Sequence, residues 1–328
     1  MAPGRCGRRV SGVSKRVAIL GATGHVGKCL TAALLARGEH SVTAVVRNGP
    51  RLTAFLSNVT NGMACAVRSF DDFGAGEYDT VVNCAGVGTP GAVAEVGAGI
   101  FEITEHFDAL VLDYQQRHPD TRYIAFSSGA AYCGDFAEPA SECTQARVAI
   151  NALSPADYYG IAKLASESKH RAMTDRPIVD LRLFGLFSRY ADMDAHYFMT
   201  DVYHALAQRV TLTVGPDDVV RDYVDPDDLC AMVCAVLDAE PCNDVFDLYS
   251  AAPASKFDII STFAARYGLT YDVLDSPVGG TATGSKPNYY STNHRAARLG
   301  YHPTYTSIES LERQIDVLLE LQGGAPRE

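Results

Sequence analysis

The stretch Val17-Ala18-Ile19-Leu20-Gly21-Ala22-Thr23-Gly24-His25-Val26-Gly27 carries the reading on which the rest of the fold depends. Consecutive apolar residues from Val17 to Leu20 are what a strand buried on both faces requires. Glycines 21, 24 and 27 follow at once in GxxGxxG spacing. Lys28 to Ala36 then places apolar residues at helical intervals and stops at Arg37-Gly38, a C-terminal signal. Strand, glycine turn and helix in this order form a phosphate cradle. Small residues let the backbone approach a pyrophosphate, and the helix N-terminus presents unpaired N–H groups at the positive end of its dipole. His25 and Val26 would supply those amides, with Gly21, Thr23, Gly24 and Gly27 shaping the turn. The alternative is a tight turn without a ligand.

The alternation continues outward from this unit. Ser41 to Val46, Met63 to Val67, Thr80 to Cys84 and Tyr123 to Phe126 read as strands. Phe107 to His118 and Ala156 to Met173 read as helices. Such a pattern predicts an α/β fold, a Rossmann-type doubly wound parallel sheet with helices on both faces. Farther on, Ile178 to Phe187, Val210 to Val214, Asp244 to Tyr249 and a segment near Tyr271 are strand-like. Phe198 to Gln208, Asp227 to Leu237, 256–267 and Ser307 to Leu321 are helical, and 278–285 is a Gly/Thr/Ser-rich loop. Residues 16–187 are expected to form the nucleotide-binding core, with segments near 210–250 returning to it. Residues 188–209 and 251–328 form a smaller substrate-binding lobe. Residues 1–15, basic and without an apolar stretch, read as a disordered tail and not a secretory signal.

Composition removes other classes. The chain has 328 residues, 47% hydrophobic and 20% charged, an ordinary globular balance. The net charge of −11 repels phosphate backbones and argues against nucleic acid as a partner. No run of about 18 apolar residues is present, so no membrane span is expected. The nine cysteines are odd in number and form no CxxC. Cys230 and Cys234 have helical spacing but no further ligand close by in sequence, so no metal site is expected, and a reducing, cytoplasmic location is.

The end of the second strand distinguishes the dinucleotides. An acid there would bind the ribose hydroxyls of NAD. Here Val45-Val46 leads to Arg47, with Arg51 four residues on. A guanidinium suits the 2′-phosphate of NADP through a fork of charge-assisted bonds, so NADP(H) is the expected cofactor. Asp71, after the third strand, could bond the adenine amino group. Ala85 opens the turn after the fourth strand on the cofactor side.

Asp157-Tyr158-Tyr159-Gly160-Ile161-Ala162-Lys163 contains Tyr-xxx-Lys, which on a helix puts both side chains on one face. Seventeen tyrosines and six lysines give roughly 0.3 such pairs by chance, so context must carry the motif. Ala125-Phe126-Ser127-Ser128 ends a strand about thirty residues upstream. A free phenol, with a pKa of about 10, is a poor acid or base near neutrality. A nearby ammonium favours the phenolate, and a serine hydroxyl bonds a substrate oxygen as charge develops.

With these segments in view, the chain from Val17 to about Leu321 resembles an extended short-chain dehydrogenase/reductase, of the nucleotide-sugar epimerase/dehydratase/reductase superfamily. Asp180-Leu181-Arg182-Leu183-Phe184-Gly185-Leu186-Phe187 resembles the strand flanking the nicotinamide, which makes Phe184 a cofactor-side residue. Arg221-Asp222-Tyr223-Val224-Asp225-Pro226-Asp227-Asp228-Leu229 resembles the segment whose arginine holds the nucleotide diphosphate. Arg298-Leu299-Gly300-Tyr301 resembles the closing helix and turn. The resemblance implies Tyr159 and Lys163 as the catalytic pair, with Lys163 also on the nicotinamide ribose. Arg221 would be the diphosphate cation, with Tyr223 beside the substrate. It also implies a homodimer paired through the helices at 103–118 and 156–173. The family's catalytic hydroxyl is expected at Gly129, which has none. Either Ser128 substitutes, also contacting substrate, or Tyr159 works alone.

Three activities fit. The first is NADPH-dependent reduction of the 4-keto group of a nucleotide-linked 4-keto-6-deoxy sugar, as in deoxysugar biosynthesis. The second is 4-epimerisation of a nucleotide sugar with retained NAD(P), disfavoured by Arg47. The third is a non-catalytic NADP-binding sensor, disfavoured by the presence of Tyr159 and Lys163. The first is the main expectation.

Overall fold

The computed structural model describes residues 13–275 and 286–323. Most of the basic N-terminal segment and the loop expected at 278–285 therefore lie outside the described residues. Lys15 is already anchored, its ammonium donating to the carbonyl of Leu237.

The elements run β1 (Arg16–Leu20), α1 (His25–Arg37), β2 (Ser41–Val45), α2 (Gly49–Leu56), β3 (Ala66–Arg68), β4 (Thr80–Asn83), α3 (Pro90–Val96), α4 (Gly99–Arg117), β5 (Arg122–Ser128) and α5 (Pro155–Ala172). They continue with β6 (Ile178–Leu183), α6 (Phe198–Gln208), β7 (Leu212–Val214), β8 (Val220–Arg221), α7 (Pro226–Asp238) and β9 (Asp244–Leu248). Last come β10 (Ala254–Ser255), α8 (Lys256–Tyr267), β11 (Tyr271–Val273), β12 (Asn288–Tyr289) and α9 (Ser307–Gly323).

Seven strands form one sheet in the order β3-β2-β1-β4-β5-β6-β9, and every pair is parallel. Alternate residues facing two covered faces explain why β1 and β4 read as near-continuous apolar runs. Val17 and Ile19 enter a core with Leu30 and Leu34 of α1 and Met232 and Val233 of α7. Ala18 and Leu20 enter the opposite core, with Val111 and Tyr114 of α4. Val82 and Val81 divide in the same way. Both faces are thus covered by helices, and the order reverses at β1, between β2 and β4. A crevice opens at such a switch point beyond the carboxyl ends of the strands.

A second core gathers Phe187, Met199, Val202, Ile260, Phe263 and Leu311 and lies beside small sheets ordered β10-β8-β12 and β11-β7. Gly185 links the two regions, because a β-carbon there would sit 2.5 Å from the carbonyl oxygen of Asp222. The strand expected to reach Phe187 therefore ends at Leu183, and Phe187 is buried in the second core. The strand expected from Met63 starts at Ala66, because Gly62–Ala64 winds into a 3-10 turn. No helix among the described residues is long and apolar enough to cross a membrane.

Candidate active site

The glycine turn forms because its carbon skeleton leaves no room for side chains. Gly21 has φ +74°, and a β-carbon on it would lie 2.7 Å from the backbone of Ala85. One on Gly27 would lie 2.3 Å from the carbonyl oxygen of Gly21. The turn is closed by Gly24 N–H donating to Gly21 O at 2.9 Å, and α1 starts with Lys28 N–H donating to Gly24 O at 2.8 Å. Gly24 caps α1 with no side-chain hydrogen bond, and the first turn holds no acid. A glycine in place of a capping side chain costs only a few tenths of a kcal/mol. Burial of Leu30 and Leu34, at about 1.5–3 kcal/mol each, more than offsets it. The result is an open, positively polarised helix end facing the crevice, which fits a pyrophosphate. The His25 side chain turns to Ser188, with Nε2 2.8 Å from its hydroxyl oxygen. Burial, with the charge of Lys28, pushes its imidazole down to about 4.

Arg47 lies exposed just past β2, and Arg51 lies exposed in the first turn of α2. Burial and the charge of Arg51 push Lys28 below the ordinary lysine range. Arg47 thus follows β2 directly, while Lys28 and Arg51 lie close enough for their charges to interact, with Asp192 acting on Lys28 in the opposite sense. Asp71 is exposed beyond β3. Ala85 sits against Gly21, and its N–H donates to Asn83 Oδ1 at 3.0 Å.

At the other end of the crevice, α5 approaches β5 closely. A β-carbon on Gly160 would lie 2.5 Å from the carbonyl oxygen of Ala130. This seats the start of α5 on the 3-10 turn Gly129–Tyr132 that follows β5. The Lys163 ammonium donates to the carbonyl of Phe126 at 3.0 Å and stands 5.8 Å from the centre of the Tyr159 ring. Of the two serines that end β5, Ser127 donates to Glu167 at 2.5 Å. The Ser128 hydroxyl oxygen accepts from Ala130 N–H and lies 3.1 Å from the Tyr289 hydroxyl. Gly129 cannot carry a hydroxyl in this arrangement, because a β-carbon would lie 2.4 Å from the Phe184 ring. The hydroxyl available at the end of β5 is that of Ser128.

Phe184 packs with Tyr132, Phe136, Ala140 and Tyr289 in a small aromatic cluster. Arg221, on β8, donates to the carbonyls of Val220 and Lys286 and stands 5.9 Å from the Tyr289 ring centre. Tyr223 is half-buried, its N–H donates to Ser307, and burial pushes its phenol up to about 12. Sequence reading missed Tyr289 and Lys286. Tyr289 is separated from Ser128 by 161 residues, and no local spacing announces a contact made only by packing β12 against β8. Glu167 and Arg182 were missed as well, and they were legible only as charged residues in an apolar strand and helix.

A buried chain supports the cofactor side. Asn83 Nδ2 donates to the Tyr123 hydroxyl at 3.0 Å, and that hydroxyl donates to Asp108 at 2.8 Å. His170 lies between Asp108, 2.8 Å from Nε2, and Asp180, 2.9 Å from Nδ1. Both ring nitrogens face carboxylates, and only the imidazolium has two N–H groups to give. Burial opposes the charged ring, but hydrogen bonds to Asp108 and Asp180 and their charges override it and raise the pKa to about 9. Burial likewise opposes ionised Asp108, but His170 and Lys169 hold its carboxyl below 3.8. A raised histidine stabilises the fold fully below its unfolded value of 6.5 and loses that contribution as pH rises through about 9. The depressed Asp108 contributes above 3.8 and fails only in stronger acid. Melting temperature is therefore expected to fall between pH 6.5 and 9.5, and His170→Gln should flatten that slope. Equal slopes in the two proteins would refute the assignment.

The chain matches the family model described as NAD dependent epimerase/dehydratase family over residues 17–248. No curated protein matches it. Among solved structures, it is similar to a UDP-glucuronic acid 4-epimerase from Bacillus cereus in complex with UDP-glucuronic acid and NAD. The identity is 21%, the TM-score 0.74, and the match covers 93% of this chain and 99% of that one. It is similar to a UDP-glucose 4-epimerase from Bifidobacterium longum in complex with NAD+ and UDP, at 20% identity and TM-score 0.73, covering 94% and 99%. A third similar structure is a UDP-glucose-4-epimerase from Stenotrophomonas maltophila with bound NAD and formylated UDP-arabinopyranose, at 17% identity and TM-score 0.75, covering 94% and 98%.

Proposed function

Since the chain belongs to the NAD dependent epimerase/dehydratase family, we propose that it is a nucleotide-sugar 4-epimerase that retains its nicotinamide dinucleotide. The observation that carries this reading is the constellation at the end of β5: Tyr159 and Lys163 one helical turn apart, with Lys163 donating to Phe126 of the strand that ends in Ser128. The named activities of the similar structures move the reading from reduction, the main expectation from sequence, to epimerisation. A bound dinucleotide would supply a reversible hydride acceptor for the reaction. Its pyrophosphate would lie on the amides of His25 and Val26, between Gly21, Thr23, Gly24 and Gly27, with Ala85 and Phe184 along its length.

The chain's own groups handle the proton and the position. Tyr159 takes the proton from the sugar hydroxyl as it becomes a carbonyl, and returns it after the sugar has turned. Lys163 keeps a positive charge next to that phenol and reaches the nicotinamide ribose. Ser128 donates to the developing oxygen. Arg221 takes the diphosphate, and Tyr223 lies on the substrate side. A homodimer through α4 and α5 completes the proposal.

A second reading is favoured by a separate observation. Arg47 and Arg51 make no ion pair among the described residues and suit NADP(H), with Asp71 near the adenine, so NADPH-dependent reduction of a 4-keto-6-deoxy sugar nucleotide is the defined alternative. The test is to incubate the protein as purified with UDP-glucose and UDP-glucuronate, without added coenzyme, and read products by NMR. The 4-epimer is the expected product. Consumption of added NADPH with a 4-keto-6-deoxy nucleotide sugar, and no epimer, would replace the first reading by the second.

A further inference from the structure

Tyr289 and Ser128 share one contact and bring two hydroxyl hydrogens to it. Their oxygens lie 3.1 Å apart. Both residues are buried, and a buried hydroxyl hydrogen needs an acceptor. Among the described residues neither hydroxyl has a second acceptor, so one hydrogen is left over. Chemistry decides which. A phenol, with a pKa of about 10, is a stronger acid than an alkyl alcohol, and its ring draws on the oxygen lone pair. It therefore donates better than it accepts. Ser128 Oγ already accepts from Ala130 N–H at 3.2 Å. With the Tyr289 hydroxyl donating as well, both of its lone pairs are taken, and Ser128 can only donate. The surrounding contacts hold this arrangement near Tyr159. The Tyr289 ring stands edge-on to Phe136, 4.8 Å between centres, and 5.3 Å from Phe184. Ser128 caps the 3-10 turn Gly129–Tyr132, and Gly160, next to Tyr159, packs on the Ala130 carbonyl of that same turn. Burial foremost, and then the charge of Tyr159, hold the Tyr289 phenol well above its ordinary range, against its hydrogen bonds and the charge of Arg221. Tyr289 thus keeps its proton near neutrality, as a donor must.

We propose that Tyr289 is a positioning residue, whose phenol donates to Ser128 Oγ and so commits the Ser128 hydrogen to an oxygen of the substrate. The pair thereby replaces the hydroxyl expected at Gly129. This rests on the nucleotide-sugar reading of the same site. The test is a double-mutant cycle of Ser128→Ala and Tyr289→Phe. The values of kcat and KM are measured on the nucleotide sugar that the wild type turns over, by epimerisation or by NADPH-dependent reduction. Tyr289→Phe removes one oxygen and leaves the ring against Phe136 and Phe184, and melting temperature reads any loss of folding. Ser128→Ala should lower kcat about 10²–10³-fold, the range for one donor to a developing oxyanion. Tyr289→Phe should lower kcat about twofold to tenfold, the worth of one net hydrogen bond, with KM unchanged. In the Ser128→Ala background the same change should cost less than about twofold, because the residue acts through that hydroxyl. A packing role would cost an equal factor in both backgrounds, and that result overturns the proposal. So does a Tyr289→Phe enzyme as active as the wild type, or a Ser128→Ala enzyme as active as the wild type. Each of these leaves an active wild type and the nucleotide-sugar reading intact. A wild type that turns over no nucleotide sugar in either assay removes that reading and this role with it.

Discussion

Tyr159→Phe is expected to lower kcat on a nucleotide sugar by about 10²–10⁴-fold, the range for loss of a positioned acid–base group. The substitution removes one oxygen and leaves the ring, so the packing of α5 on β5 at Gly160 and the anchoring of Lys163 to Phe126 at 3.0 Å persist. The dinucleotide cradle lies at the other end of the crevice and is untouched. The measurement is kcat and KM for wild type and variant, together with the bound dinucleotide per chain. A large fall in kcat with unchanged dinucleotide content is the expected pattern. A variant that retains more than half of the turnover would remove Tyr159 from the chemistry and leave a dinucleotide-binding protein whose activity, if any, is elsewhere.

Arg182→Ala is expected to be the most damaging single change to stability near the site. The guanidinium bonds Glu167 at 2.6 Å, stands 3.5 Å from Asp247, and lies 4.2 Å above the Tyr132 ring. Asp247 also accepts from Tyr132 at 2.8 Å and Ser291 at 2.5 Å. This one side chain therefore joins β5, β6, β9, α5 and the segment after β12. Glu167 and Asp247 are both buried, and burial already pushes the Asp247 carboxyl above its ordinary range. Removing the arginine leaves two buried acids without their cation, at a cost of about 3–5 kcal/mol. At about 2–4 °C per kcal/mol for a chain of this size, the melting temperature should fall by roughly 10 °C. A fall of about 2 °C or less would show that the acids find other partners and that the network is not what holds the strand ends together.

Several parts of this molecule were readable in one dimension because their physics is local. A parallel strand buried on both faces must be apolar throughout, so Val17 to Leu20 and Thr80 to Val82 announce themselves. A backbone turn that excludes β-carbons needs glycine, so positions 21, 24 and 27 mark the cradle. One helical turn fixes the relation of Tyr159 to Lys163. Local signals also failed where burial is partial. Helix α4 begins at Gly99, ahead of the start expected at 103–107, and of its first turns Ile100 is buried while Phe101, Glu102, Glu105 and His106 are exposed. The helix α2 is short, and only Leu52 and Leu56 of it are buried.

The sequence by itself thus determined the doubly wound sheet, the place of the glycine turn and the spacing of Tyr159 and Lys163 on one helix face. Only the tertiary structure separated the two serines that end β5, because the Phe184 ring occupies the space beside Gly129 and Glu167 takes Ser127. Only it brought Tyr289 to the Ser128 hydroxyl from the far end of the chain, and set His170 between two acids drawn from α4 and β6. The physical reason is one of range. Backbone geometry and burial periodicity act between near neighbours and are written in spacing, whereas hydrogen bonds and ion pairs between distant residues exist only after the sheet and its two cores have brought them together.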